Sequence, residues 1–152
     1  MGFLFDFFLS ILKAFSILLF SSSSFAFFSK APGSGISAKS KITYDLKFNQ
    51  WHHGQEMDMN DVIYSIYFLS EWGSERTKND KTYDSDFSPQ ASQIFNTLKG
   101  IRVVDSDTIE VYTDFWHFDS GEIASWGSVW SSMPWEIMAS MEQIVIDGKS
   151  SF

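Results

Sequence analysis

Residues 41–71 read KITYDLKFNQWHHGQEMDMNDVIYSIYFLSE, and within this stretch the hydrophobic period changes from two residues to nearly four. Residues 41–48 alternate in polarity, which is typical of a strand with one buried and one solvated face. The apolar face of this predicted strand is formed by Ile42, Tyr44, Leu46 and Phe48. A polar loop around Gly54 follows, and the longer period after it indicates a helix.

Asp58 and Asp61 predict the beginning of that helix. The Asp58 carboxylate is suited to accept hydrogen bonds from the free N–H groups of the first turn, and Asp61 adds negative charge near the positive end of the helix dipole. Apolar side chains then recur at helical spacing at Val62, Ile63, Ile66 and Tyr67. The helix is expected to end near Trp72 and Gly73.

A second clear pattern lies at residues 101–113, IRVVDSDTIEVYT, which predicts an antiparallel β-hairpin. Two alternating arms flank a polar turn made of Asp105, Ser106 and Asp107. Arg102 and Glu110 are expected to face each other across the pair of strands. This hairpin is the predicted centre of the folded domain.

The other segments complete the prediction of fold class. Residues 74–88 are polar and predict an exposed loop, Pro89 opens a short helix that Gly100 stops, and residues 114–132 show no regular period. Pro134 opens a final helix. Its expected apolar stripe consists of Ile137, Met138, Met141, Ile144 and Val145. The order β, α, α, β, β, α predicts an α+β fold with a mainly antiparallel hairpin and three helices.

The N-terminal part has a different composition. Residues 1–30 form an apolar signal-like or anchor segment that holds nine of the sixteen Phe residues, and we expect an N-terminal apolar helix there. Asp6 precedes Lys13, the first basic side chain, unlike the usual order in a secretory signal. Residues 31–40, rich in Gly, Pro and Ser, predict a linker before the domain of residues 41–152. This organisation predicts an extracellular or periplasmic location with attachment to the membrane.

Composition argues against several classes of function. The chain has 152 residues and a net charge of −8, so no nucleic-acid partner is expected. It contains no Cys, which excludes disulfides, thiolate metal sites and a Cys nucleophile. The sequence has no Gly-rich phosphate loop, no nucleophile elbow and no His-Glu-x-x-His motif. We therefore expect neither an enzyme nor a cofactor.

The candidate ligands for a metal ion are His52, His53 and His117 together with paired acids. Neighbouring residues of a strand point to opposite sides, so a site at residues 52–53 needs Glu56 or Asp58 folded back. The acid pairs are Asp58/Asp61, Asp84/Asp86, Asp105/Asp107, Asp114/Asp119 and Glu136/Glu142. Helix-start and turn chemistry explain the first and third pairs, and the second lacks the later Gly and Glu of a calcium loop. These patterns assign no catalytic, ligand-binding or metal residue.

Four tryptophans, Trp116, Trp126, Trp130 and Trp135, fall close together in the sequence. Tryptophan brings a large contact area and one N–H donor, so this Trp cluster suits either a small core or a contact surface. The alternative function is therefore a membrane-anchored α+β protein-interaction domain that uses the Trp cluster for contact.

Residues 41–71 and 101–113 together resemble a signature of the family 5 extracellular solute-binding proteins, the peptide, oligopeptide and nickel binders of ABC importers. That family has a strand ending in a Trp-His-Asp-Gly-like turn, followed by a helix with an Asp-Val start. Here residues 51–54 read WHHG and residues 59–62 read MNDV. The hairpin is similar to the family's Val-x-Val-x-Asp-x-x-Thr turn. The likeness extends over about residues 40–146, and its last part is similar to the archaeal-type members.

The resemblance implies a non-enzymatic chain from a two-lobed, type II periplasmic-binding-protein-like clamshell. Members of the family are several times longer, and the matched region belongs to an early part of their N-terminal lobe. We therefore expect a fragment that does not enclose ligand alone. For the full-length family, the implied partners are a peptide or similar small solute and the permease of an ABC importer. The family's peptide contacts come largely from parts outside the match, so no ligand-binding residue is carried over.

Overall fold

The computed structural model describes residues 37–130 and 132–150, and in this part three strands form one antiparallel sheet. The strands are β1 (Ser40–Asp45), β2 (Leu98–Val103) and β3 (Thr108–Thr113), in the order β1-β3-β2. Ile42 lies opposite Val111, and Arg102 lies opposite Glu110. The predicted hairpin is confirmed, and the predicted N-terminal strand joins it as the third strand, with β3 in the centre.

The described residues also form four helices, which makes the fold α+β as predicted. They are α1 (Met59–Gly73), α2 (Ser88–Thr97), α3 (Ser120–Gly127) and α4 (Trp135–Ile146). Helix α1 contacts both α2 and α4, whereas α3 contacts β1 and β3.

The core lies between the sheet and α1. Ile109 and Val111 of β3 are fully buried and belong to one apolar cluster with Val62 and Ile66 of α1. The other buried members of this cluster are Met59, Leu98, Ile101 and Val129. Full burial of one such side chain contributes about 1.5–3 kcal/mol, so this cluster is the main apolar stabilisation of the described domain.

Hydrogen bonds between residues close in sequence stabilise the start of α1 and the turn of the hairpin. The Asp58 side chain accepts a hydrogen bond from the backbone N–H of Asn60 at 2.8 Å, and the Asp61 carboxylate accepts one from Asp58 N–H at 3.0 Å. These two bonds form a capping box, so the predicted start of α1 is confirmed. In the hairpin turn, Asp105 Oδ1 accepts from Thr108 N–H at 2.8 Å, which explains why an acidic residue occupies that position.

The prediction of three helices in the domain is wrong, because α3 lies within the segment that has no regular apolar period. Its first turn is capped by Asp119, whose carboxylate accepts from Gly121 N–H at 2.8 Å. A helix of eight residues depends on such a cap more than on a periodic stripe. Element boundaries also move. Strand β2 begins at Leu98, so α2 ends before Gly100, and β1 ends at Asp45 and not at Phe48.

Helix α4 buries only part of its predicted apolar face. Met138 and Glu142, four residues apart, are buried, whereas Ile137 and Ile144 of the predicted apolar stripe are 46% and 44% exposed. Glu142 is buried because it accepts a hydrogen bond from Tyr64 of α1. The face of α4 that is buried is thus determined by contacts with α1 and not by the apolar pattern of the α4 sequence alone.

The predicted apolar segment 1–30 lies outside the described residues, as does most of the predicted linker. Of that linker, residues 37–39 are exposed and Ser40 already belongs to β1. Within residues 37–130 and 132–150, no helix has the length and apolar character needed to cross a bilayer.

Candidate functional site

The Trp-His-His-Gly segment forms a tight turn between β1 and α1. Trp51 N–H donates to the Gln55 carbonyl and Gly54 N–H donates to the Trp51 carbonyl, both at 2.8 Å. Gly54 has φ of +89°, a conformation that side chains with a Cβ rarely adopt, which gives a physical reason for Gly at this position. The chain on either side is joined by a bridge between Gln50 and Glu56.

Asp61 joins this turn to two helices. Its Oδ2 accepts from the Trp51 indole N–H at 3.2 Å and from Asp58 N–H at 3.0 Å, while its Oδ1 accepts from the backbone N–H of Trp135 at 2.9 Å. The carboxylate is only 5% exposed, so these three bonds replace the water that it loses. Asp61 therefore holds the turn, the start of α1 and the start of α4 at one point.

A second contact supports the same junction. The Gln55 side-chain amide donates a hydrogen bond to Oε1 of Glu136, in the first turn of α4. Sequence reasoning did not anticipate Gln55, Trp135 or Glu136 at this site, because the contacts join residues 74 and 81 positions apart. The predicted pair Glu136/Glu142 is divided between this junction and the Tyr64 contact.

The three histidines do not meet. His52 and His53 are exposed in the turn, where His53 Nε2 lies 2.9 Å from Gln55 Oε1. His117 lies in the loop before α3, and its Nδ1 accepts from Asp119 N–H at 3.1 Å. In the part of the chain that the structure describes, no group of three or more His, Asp or Glu side chains is placed to hold a metal ion.

The remaining acid pairs have local structural contacts. Asp84 Oδ1 accepts from the backbone N–H groups of Asp86 and Phe87 at 2.7 and 3.0 Å, just before α2. Asp114 forms an ion pair with Lys99 at 2.9 Å, which lowers the pKa of its carboxyl. Its predicted partner Asp119 instead caps α3. These contacts do not place two carboxylates around a common cleft.

A buried ionisable contact joins α1 to α4. Tyr64 Oη donates to Glu142 Oε2 at 2.6 Å, and Glu142 is 7% exposed. Glu71 lies nearby in α1, where it pairs with Arg76 at 2.5 Å and accepts from the Thr82 hydroxyl at 2.9 Å. Burial raises the pKa of the Glu142 carboxyl above its ordinary value, because charging it there costs hydration.

This raised pKa predicts how the E142Q substitution changes stability. Between the ordinary carboxyl pKa and the raised one, the native state binds more protons than the unfolded state, so the free energy of unfolding decreases as pH rises through that window. Gln retains a carbonyl oxygen for Tyr64 and carries no charge. We expect E142Q to be more stable than wild type near neutral pH, by an amount that shrinks as pH is lowered.

Urea unfolding of both proteins across the acid-to-neutral range measures this difference. Glu122 is exposed, so E122Q is the matched control and should show the wild-type pH dependence. If E142Q and wild type instead keep a constant separation at all pH values, the buried carboxyl does not titrate in the way its surroundings indicate.

Glu110 has the opposite electrostatic environment. Its carboxylate contacts Lys41 Nζ at 2.5 Å, Tyr112 Oη at 2.6 Å and Arg102 Nε at 2.8 Å. These donors, the Lys41 ammonium first, lower the pKa of Glu110 to about 2. The predicted facing of Arg102 and Glu110 is confirmed, and Lys41 joins them because β1 lies on the other side of β3. Glu110 therefore connects all three strands.

The four tryptophans of the Trp cluster are separated in the fold. Trp130 packs edge-on against Tyr44 with ring centroids 4.8 Å apart, and the ring centroids of Trp135 and Tyr64 are 6.0 Å apart. The Trp126 indole donates to Thr97 Oγ1 at 2.8 Å. Trp116, by contrast, is 67% exposed. The Trp cluster of the sequence is therefore not one surface, and three of its members have packing roles.

Trp116 belongs to an aromatic loop, residues 115–118, that connects β3 to α3. Phe118 in the same loop is 85% exposed. The base of the loop is fixed, because the Phe115 ring stacks on Trp126 at 4.9 Å and the Phe115 carbonyl accepts from the Ser40 hydroxyl at 2.8 Å. The aromatic loop thus presents two large exposed rings on a well-packed support.

A shallow hollow lies next to α2 and α3. It is lined by Ile94, Thr97, Leu98, Val111, Thr113, Trp126, Gly127 and Val129. Small-molecule sites usually enclose about 300–1,000 Å³, whereas this hollow does not enclose space for even one water molecule, so it is too small for a peptide. No known family model matches the chain, and no curated protein matches it.

Proposed function

We propose that this chain is part of an extracellular solute-binding protein of an ABC importer for peptides or similar solutes. In this proposal it is non-enzymatic, lies on the extracellular or periplasmic side of the membrane and serves a permease of that importer. The folded part alone does not enclose a solute.

The observation that carries the proposal is the position of Asp61. Within residues 41–71, the resemblance to the solute-binding family is carried by the Trp51 turn and the Asp61 helix start, and the indole N–H of Trp51 donates to the Asp61 carboxylate. A contact between the two pieces gives a physical reason for their fixed spacing. This supports a common structural origin for the motif, and it makes both residues structural rather than ligand-binding.

The size of the hollow supports the second part of the proposal. In the family that the sequence resembles, specificity arises when two lobes close over the solute, a shift between open and closed populations. The described residues provide one sheet, four helices and a shallow hollow that encloses no space of solute size. We expect weak or no binding of solute by this chain alone.

Calorimetry against mixed peptides tests this expectation. No heat of binding at peptide concentrations up to the millimolar range is the expected result. Micromolar binding by the isolated chain contradicts the partial-domain proposal. The DNA downstream of the Phe152 codon gives an independent test, because an open frame that encodes a second lobe supports the proposed origin.

One observation favours a second candidate, a membrane-anchored α+β domain with a contact surface of its own. Trp116 is 67% exposed and Phe118 is 85% exposed, and solvated rings of this size in neighbouring positions are typical of contact surfaces. The candidate surface is then the aromatic loop, since Trp126, Trp130 and Trp135 pack inside the domain. A cooperative melt and protease resistance of the folded part favour this candidate.

A further inference from the structure

The exposed aromatic loop lies beside the start of β1. Ser40, the first residue of β1, donates its hydroxyl to the Phe115 carbonyl at 2.8 Å. Residues 1–28 are apolar apart from six Ser, Asp6 and Lys13, and they end twelve residues before Ser40. The chain between Phe28 and Ser40 spans at most about 40 Å when fully extended, and it is joined to the domain at the end of the sheet that carries the aromatic loop.

The two exposed rings have the chemistry of a membrane interface. Tryptophan is enriched where the acyl region of a bilayer meets the headgroups, because its ring is apolar and its N–H is polar. Phe118 is apolar throughout and is the more exposed ring, at 85%. The apolar residues 1–28 are suited to contact a lipid surface. The exposed rings of Trp116 and Phe118 are suited to contact the same surface.

The loop is also held in place for such a contact. Phe115 N–H donates to Thr113 Oγ1 at 3.1 Å, and the Phe115 ring stacks on Trp126. On the other side, His117 accepts from Asp119 N–H, and Asp119 caps α3. Because both ends of the loop are fixed, the loop loses little conformational entropy when its rings enter a lipid layer.

Charge indicates which lipids the surface takes. Residues 41–152 carry −10, and the exposed acids Asp119 and Glu122 follow the aromatic loop directly. Anionic headgroups repel this charge, whereas zwitterionic headgroups do not. We propose that the aromatic loop, residues 115–118, inserts Trp116 and Phe118 into the headgroup region of a zwitterionic bilayer to which residues 1–28 attach the chain. The inference rests on the proposed membrane attachment.

The absence of Cys allows a direct test with single-cysteine probes. The full chain is reconstituted with phosphatidylcholine vesicles, and an environment-sensitive dye is placed at S120C, two residues after Phe118. The matched control is S106C in the β2–β3 turn. Ser106 is also exposed and lies at the opposite end of β3, about 20 Å away at the usual rise per strand residue.

The expected result is a blue shift and quenching by headgroup-labelled nitroxide lipid at position 120, with neither effect at position 106. The changes W116S and F118S, added to S120C, should abolish both effects while the chain still floats with the vesicles. Vesicles rich in anionic lipid should give a smaller shift.

Three results overturn the inference, and they separate its parts. If the chain floats but the two probes respond alike, attachment holds and insertion of the loop fails. If the chain does not float with vesicles, the proposed attachment fails and the inference fails with it. A blue shift at position 120 in lipid-free detergent that disappears on dilution shows that a second copy of the chain covers the loop instead of lipid.

Discussion

The D61A substitution is expected to lower the free energy of unfolding by about 3–4 kcal/mol, because it leaves three donors without their shared acceptor. These donors are the Trp51 indole N–H and the backbone N–H groups of Asp58 and Trp135. The site is nearly inaccessible, since Asp61 is 5% exposed, so water does not fully replace the lost bonds. Urea unfolding followed by far-UV circular dichroism measures the loss.

Three further variants separate the contributions. D61N keeps one carbonyl oxygen and should lose roughly half as much, whereas W51F removes a single donor and should lose about 1 kcal/mol. D86N changes an exposed carboxylate and should stay within about 0.5 kcal/mol of wild type. Hydrogen exchange gives a local readout, since the Trp135 amide should exchange faster in D61A. A D61A protein with wild-type stability and an unchanged Trp135 exchange rate rules out the junction.

The G73A substitution is expected to cost about 3 kcal/mol through overpacking. Gly73 is the last residue of α1, and a Cβ added there overlaps the Cβ of Ala91 in α2. Ala91 is 0% exposed, so its methyl group has no free space to enter. The two helices must separate or α1 must end earlier, and either change loses buried contacts.

A paired substitution tests this explanation. A91G alone should cost about 1 kcal/mol, the usual penalty for Gly within a helix. In the double variant G73A/A91G the added methyl occupies the space of the removed one, so its stability should return to about the A91G level. A double variant whose loss equals the sum of the two single losses is evidence against a contact between these positions.

Local sequence patterns were sufficient to predict the elements that are stabilised by contacts between near neighbours in the chain. The cap of α1 depends on Asp58 and Asp61, which are three residues apart, and the hairpin turn depends on Asp105 and Thr108. Both interactions lie within one turn of chain, so sequence spacing alone predicts them. Helix α3 escaped prediction because its signal is a single cap at Asp119 without an apolar period.

The candidate site was only partly predictable. The resemblance identified Trp51 and Asp61 as parts of one motif, and their hydrogen bond was not anticipated. The role of Asp61 in binding the start of α4 has no signal in the sequence, because Trp135 contributes a backbone N–H, which every residue except Pro carries. The sequence also did not determine that Trp116 is exposed, since a Trp side chain suits a core as well as a contact surface.

By itself, the sequence determined the class of the fold, both ends of α1, the start of α4 and the hairpin. Only the tertiary structure decided which face of α4 is buried. In α4 the Glu142 side chain is buried and the Ile137 side chain is exposed. Tyr64 of α1 supplies the hydrogen-bond donor that a buried carboxyl requires. Periodicity and capping describe a residue and its near neighbours, whereas burial depends on partners that folding brings from elsewhere in the chain.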